Sequence, residues 1–167
     1  QMLEEEINLQ KSKINSDFEI NDSFQPIIKI PVEIYIPEEF INDVDLRLSI
    51  YKRISNINNN KEIEEIKIEL IDRFGKLPNQ LINLLKLVEI KIICIKNNIE
   101  KFEFSRKGIL VSFFQNKPKN PKKLLELSLS NKNSFMLRPD QKIFYDFGGN
   151  LIDDRFELSK KVINLIK

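Results

Sequence analysis

The chain has 167 residues, 41% hydrophobic and 31% charged, with 27 basic and 25 acidic residues and a net charge of +2. A chain of this length buries roughly 68–70% of its unfolded surface, so it needs no disulfide or metal to hold a core, and the composition is globular rather than disordered. The near balance of charge gives no long-range pull on nucleic acid or anionic membrane, and a single cysteine excludes an internal disulfide and any multi-cysteine zinc site.

His, Trp, Ala and Thr are absent while Ile, Asn, Lys and Phe abound, a bias that fits an AT-rich coding sequence. No apolar run approaches the ~20 residues of a membrane span, and no signal peptide opens the chain, so a cytoplasmic domain is expected. Gln1 stands in mid-helix character, so a longer parent chain is expected as well.

Residues 2–11, MLEEEINLQK, carry Met2, Leu3, Ile7 and Leu9 at helical spacing, a helix too short to stand alone. The polar, aperiodic run that follows, closed by Pro26, reads as a linker. Residues 1–26 are therefore set apart from a domain at 27–167. Ile28, Ile30, Val32, Ile34 and Ile36 alternate, which predicts an extended segment, and Pro31 places it at a sheet edge.

Three helices are expected next. The first, 43–57, aligns Val44, Leu48, Tyr51 and Ile54. The second, 61–74, aligns Ile63, Ile66, Leu70 and Phe74, and is stopped by Gly75 and Pro78. The third, 78–97, is apolar on two faces: Leu81, Leu84, Leu85, Val88, Ile92 and Ile95 on one, Leu87, Ile90 and Cys94 on the other. Such a wide arc marks a helix buried between other elements, with Cys94 in the core. In the second half IEKFEF and GILVSFF read as a hairpin turning at SRKG, and PKKLLELSLS as a helix opened by Pro121. SFMLRP and KIFYDF read as strands on either side of a Pro139–Asp140 turn, and a last helix runs from Asp153. The order predicts an α+β domain, helices packed on one face of a mainly antiparallel sheet.

Several motifs resemble known chemistry without completing it. DFG, Asp146 to Gly148, lacks a Gly-rich phosphate loop, a strand lysine motif and a catalytic-loop Asp–Asn pair, and reads as a strand end and turn. Asp43 with Asp45, and Asp153 with Asp154, fall at helix N-termini, where acids cap free N–H groups. Without histidine there is no nucleophile–base–orienter set, so no catalytic residue, no cofactor and no enzyme activity are expected of this domain. KGILVSFF, Lys107 to Phe114, partly echoes the RNA-recognition octamer, but Ile109, Leu110 and Val111 stand where stacking rings and small residues belong. KPKNPKK, Lys117 to Lys123, is basic without interleaved aromatics; it supplies the alternative reading, a stand-alone nucleic-acid-binding module.

The most informative stretch is the acid stripe Glu62, Glu65, Glu69 and Asp72 on the second helix. Glu69 and Asp72 fall in its last turns, where the helix dipole disfavours an acid by roughly 0.3–1 kcal/mol. Arg73 lies beside Asp72 and within reach of Glu69 at i, i+4. A solvated helix face and a docking patch for a basic partner both fit these residues.

IPEEFINDVDLRLSIYKRIS followed by EEIKIELIDRFGKLP resembles the C-terminal domain of the bacterial transcription-repair coupling factors. The resemblance is specific from about Pro31 to Pro78, in Arg47-Leu48, Tyr51-Lys52-Arg53 and ELIDRFG, and rests on pattern from Ile99 onward. It implies a longer ATP-dependent DNA translocase that releases stalled RNA polymerase and recruits nucleotide-excision repair. It also implies that this domain folds back on an excinuclease-B-like module of its own chain, hiding the surface that binds the excinuclease A subunit. The family's Glu, Asp and Arg facing that module's arginines fall here on Glu69, Asp72 and Arg73; Arg47 and Arg53 on the preceding helix fit a supporting place beside the patch and an ordinary surface role equally. Motor, polymerase and DNA contacts belong to the rest of the factor.

Overall fold

A computed structural model describes residues 24–131 and 133–167. The helix expected at 2–11 and the linker up to residue 23 lie outside the described residues. Within them the order is β1 (Ile27–Lys29), α1 (Val44–Ser55), α2 (Asn60–Phe74), α3 (Asn79–Lys96), β2 (Ile99–Phe104), β3 (Gly108–Phe113), α4 (Pro121–Ser130), β4 (Phe135–Leu137), β5 (Ile143–Asp146) and α5 (Arg155–Ile166).

The strands form one sheet in the order β1-β2-β3-β5-β4. β1 runs parallel to β2, and every other pair is antiparallel. The extended segment expected over 27–36 shortens to three residues at the sheet edge, ending just before Pro31, which has no N–H to give to a ladder. The three helices interposed before β2 supply the long crossover that a parallel return needs.

Register explains which face is covered. Phe102 stands opposite Val111, and Val111 opposite Ile143, so all three project to one side and are buried. α3, α4 and α5 cover that side with Ile90, Cys94, Leu124, Val162 and Ile163. The α+β layout, with helices on one face of a mainly antiparallel sheet, is the one expected.

A second core lies on the far side of α3. There Ile50 and Ile54 of α1 and Ile63, Ile66 and Leu70 of α2 meet Leu81, Leu85, Val88 and Ile92. α3 is thus buried on two faces, as its sequence predicts, except that Ile95 in its last turn is exposed. Half of the face expected of α1 holds, with Ile54 buried and Tyr51 packed on the core. Val44 and Leu48 point to solvent, and Ile50 and Ile54 are the buried pair. Tyr51 lies at the core margin, where its hydroxyl accepts a 2.6 Å hydrogen bond from the Ile36 N–H.

Two consequences are testable. A Cβ at Gly108 would stand 2.1 Å from the Tyr145 carbonyl oxygen and 2.5 Å from the Phe144 ring, so β3 and β5 pair only if this residue is glycine. Gly108→Ala should destabilise by about 1–3 kcal/mol or more in chemical denaturation; an unchanged midpoint would refute that packing. Burial pushes the Cys94 thiol up to about 12, which leaves essentially no thiolate near neutrality. Thiol reagents should therefore leave Cys94 unmodified until the chain is unfolded, as read by mass spectrometry.

Candidate functional site

α2 carries the acid stripe, and its two ends are defined by local chemistry. At the start, the Asn59 side chain accepts from the Glu62 N–H at 2.9 Å, while the Glu62 carboxylate accepts from the Asn58 N–H and the Asn59 amide. This is a reciprocal N-terminal cap, and it gives Glu62 a role in starting the helix. At the other end Gly75 adopts φ 92°, open to glycine and strained for other residues, and its N–H closes the last turn on the Ile71 carbonyl.

The four acids of the stripe then separate by partner. Glu65 faces Lys61 at 3.8 Å. Glu69 is gripped by both Arg53 nitrogens, at 2.5 and 3.0 Å, and is approached by Arg73 at 3.5 Å. The Arg53 hydrogen bonds, aided by the charge of both arginines, hold the Glu69 carboxyl below the usual carboxylate range against a smaller opposing effect of burial. Asp72 forms no ion pair or side-chain hydrogen bond among the described residues and is exposed. On its flank stand Ile68, one turn back, and the preceding residue Ile71, 68% and 50% exposed. The end of α2 therefore presents one free carboxylate beside two apolar side chains, backed by an Arg53–Glu69–Arg73 cluster in which the acid is fully paired and one positive charge is left over.

Arg53 and Arg73 thus come together at Glu69, whereas Arg47 turns away and donates to the Ile41 carbonyl at 2.8 Å. Leu70 is fully buried; Phe74 is half-buried, beneath the Arg73 guanidinium at 5.0 Å and beside the Phe40 ring at 5.6 Å. The Arg73–Glu69 pair is readable at i, i+4. The Arg53–Glu69 pair, sixteen residues apart, carries no local signal, and the exposure of Ile68 and Ile71 follows only once the buried face of α2 is known.

The remaining motifs take structural places. Asp43 caps α1 through the Leu46 N–H, and Asp154 caps α5 through the Phe156 and Glu157 N–H groups. Asp146 accepts from the Gly148 N–H, which makes DFG a turn. Ile109 and Val111 are buried in the core, so the octamer echo offers no stacking platform. Within KPKNPKK the Lys119 ammonium donates to the Lys96 carbonyl, closing the C-terminal end of α3. Among the described residues no group of three or more His, Cys, Asp or Glu is placed to hold a metal ion, and no helix is long and apolar enough to cross a membrane.

The Arg53–Glu69 pair is more than a third exposed, so solvent limits its coupling to about 0.2–1 kcal/mol. A double-mutant cycle with Arg53→Met and Glu69→Gln should return that value in dilute buffer and less in high salt. Because the Glu69 carboxyl is depressed on folding, its contribution is present above the unfolded carboxylate range and fades as pH falls through its lowered value. Glu69→Gln should flatten that part of the acid profile. Asp72→Asn should be neutral or stabilising by about 0.3–1 kcal/mol, since it relieves a poor dipole contact; a large loss would mean an internal partner.

A family model for the TRCF domain matches residues 30–124. The transcription-repair-coupling factor of Rickettsia bellii is 36% identical over 145 residues, which is 87% of this chain and 13% of that protein. That of Escherichia coli is 35% identical over 127 residues, 76% of this chain and 11% of that protein. The chain therefore spans about an eighth of the length of these relatives. The crystal structure of the C-terminal domain of transcription-repair coupling factor superposes with a TM-score of 0.68 at 21% identity, covering 87% of this chain and 92% of that one, which shows a shared fold. The family match spans more than half of the sequence, and the chain belongs to the TRCF domain family.

Proposed function

We propose that this chain is the regulatory, autoinhibitory domain of a cytoplasmic transcription-repair coupling factor, and that the end of α2 is its closing contact. In this reading residues 27–167 fold back on an excinuclease-B-like module of the same protein and cover its excinuclease A site. Residues 1–26 lead in from the motor. The domain turns over no substrate; ATP-driven translocation, DNA and RNA polymerase contacts belong to the remainder of the factor.

The observation that supports this most is the isolation of Asp72. Three acids of the stripe have partners in the domain, and the one without stands where the helix dipole opposes it, beside exposed Ile68 and Ile71. A carboxylate flanked by apolar side chains suits an arginine whose guanidinium pairs with the acid while its stem lies on the isoleucines. The Glu69 cluster has a different task. Its acid is already fully paired, so it fixes α1 against α2 and holds Arg73 beside Asp72. Contacts of this kind give specificity at modest net strength, which suits an interface that must open.

The basic segment Lys117–Lys123 supports a nucleic-acid reading less well, because Lys119 is engaged by α3. A mobility-shift titration across a salt series separates the two: tight binding by the isolated chain at physiological salt would favour the nucleic-acid module.

The direct test uses the full-length factor. Asp72→Arg would set a cation against the partner's arginine, and even ~1.4 kcal/mol shifts a closed–open equilibrium tenfold. The variant should bind the excinuclease A subunit without stalled polymerase, and an arginine→aspartate change in the partner module should restore part of the closure. Repair-protein binding as low as in the parent, with the domain still folded, would refute the contact.

A further inference from the structure

A second site lies in the sheet half of the molecule and shares no element with the α1–α2 contact. The β2–β3 turn, the end of β1 and the segment joining β5 to α5 enclose a cleft of about 450 Å³. Its apolar lining is Pro31, Phe104 and Phe147, the two rings 6.2 Å apart. Arg106 reaches it from the turn and Arg155 from the first position of α5. Leu151, on its wall, is 97% exposed.

The arginines of the described residues divide in a telling way. Arg53 and Arg73 hold Glu69, Arg47 holds a backbone carbonyl, and Arg138 lies over the Phe144 ring. Arg106 and Arg155 make no ion pair or side-chain hydrogen bond among the described residues, and both line this cleft. The acids nearest in sequence form no ion pair with them: Glu103 is held by Lys29 and Lys101, and neither Asp153 nor Asp154 pairs with Arg155. Asp146 is turned to the Gly148 N–H and Asp154 to the start of α5. The framework that places the two cations is fixed: the Ser105 hydroxyl donates to the Gly108 carbonyl at 2.9 Å, and the Phe147 N–H donates to the Lys107 carbonyl at 3.0 Å.

Two guanidinium forks over a floor of proline and phenylalanine match carboxylates flanking an apolar side chain. We infer that this cleft binds a short acidic segment of a partner protein, one carboxylate on Arg106, another on Arg155, and a bulky apolar residue between them against Phe104, Phe147 and Leu151. Nucleic acid fits less well. The rings are half-buried and tilted at 37° to each other, so they offer no open stacking face, and a net charge of +2 provides no field for a polyanion.

The test is fluorescence anisotropy with the 167-residue chain and a labelled peptide, Glu-Asp-Leu-Phe-Asp-Glu, beside its amide counterpart Gln-Asn-Leu-Phe-Asn-Gln. The acidic peptide should bind at least about tenfold more tightly than the neutral one. Arg106→Gln and Arg155→Gln should each remove most of that difference, and Leu151→Ser should weaken both peptides alike. Circular dichroism melting of every variant keeps folding separate from binding. The inference is overturned if the double arginine variant, melting as the parent does, binds the acidic peptide unchanged. It is overturned equally if oligothymidylate displaces the peptide at lower concentration than unlabelled peptide does.

Discussion

The two-sided burial of α3 is the constraint on which the rest of the structure depends. A helix with one apolar stripe can close one core; this one carries Leu81, Leu85, Val88 and Ile92 toward α1 and α2, and Ile90 and Cys94 toward the sheet. Both cores therefore share a wall, and neither can be assembled without it. The position of α2, and with it the direction in which Asp72 points, is inherited from this central helix through Ile63, Ile66 and Leu70.

Electrostatics then sorts surfaces that packing leaves open. The charges near the α1–α2 junction are almost all matched: Glu62 to backbone N–H groups, Glu65 to Lys61, Glu69 to two arginines. Matched surface ions add little to stability, and their value lies in what they leave unmatched. In the readings proposed above, Asp72 on one half, and Arg106 with Arg155 on the other, are the unmatched groups that look outward for partners. Their opposite signs imply partners of opposite character, so the two surfaces need not compete.

Much of this was legible in the residues. Gly75 and Pro78 announce the end of α2, and the double apolar pattern of α3 states its burial directly. What was not legible depends on distance along the chain. In α1 apolar residues occupy 44, 46, 48, 50, 51 and 54, which fits more than one face, and packing against α2 and α3 buries Ile50 beside the expected Ile54 while Val44 and Leu48 stay in solvent. The parallel pairing of β1 joins Ile28 to Phe102 across three helices, and no local pattern encodes it. At the site, the i, i+4 contact of Glu69 with Arg73 was readable from spacing. The stronger Arg53 contact was not, because it requires the angle between two helices. The family resemblance named both residues without supplying that geometry.

Strand order carries a consequence for where this domain ends as a physical object. β5 is inserted between β3 and β4, so the strand that completes the middle of the sheet arrives almost last along the chain. The matched family region stops at residue 124, before β4, β5 and α5. A fragment cut there would leave the β3 backbone, from Gly108 to Val111, without the neighbour it pairs with and would bare Ile109 and Val111 to water. Such a bare, apolar strand edge is a template for pairing between molecules. The limit of the family model and the limit set by hydrogen bonding are thus different lines, and only the second leaves β3 paired on both sides.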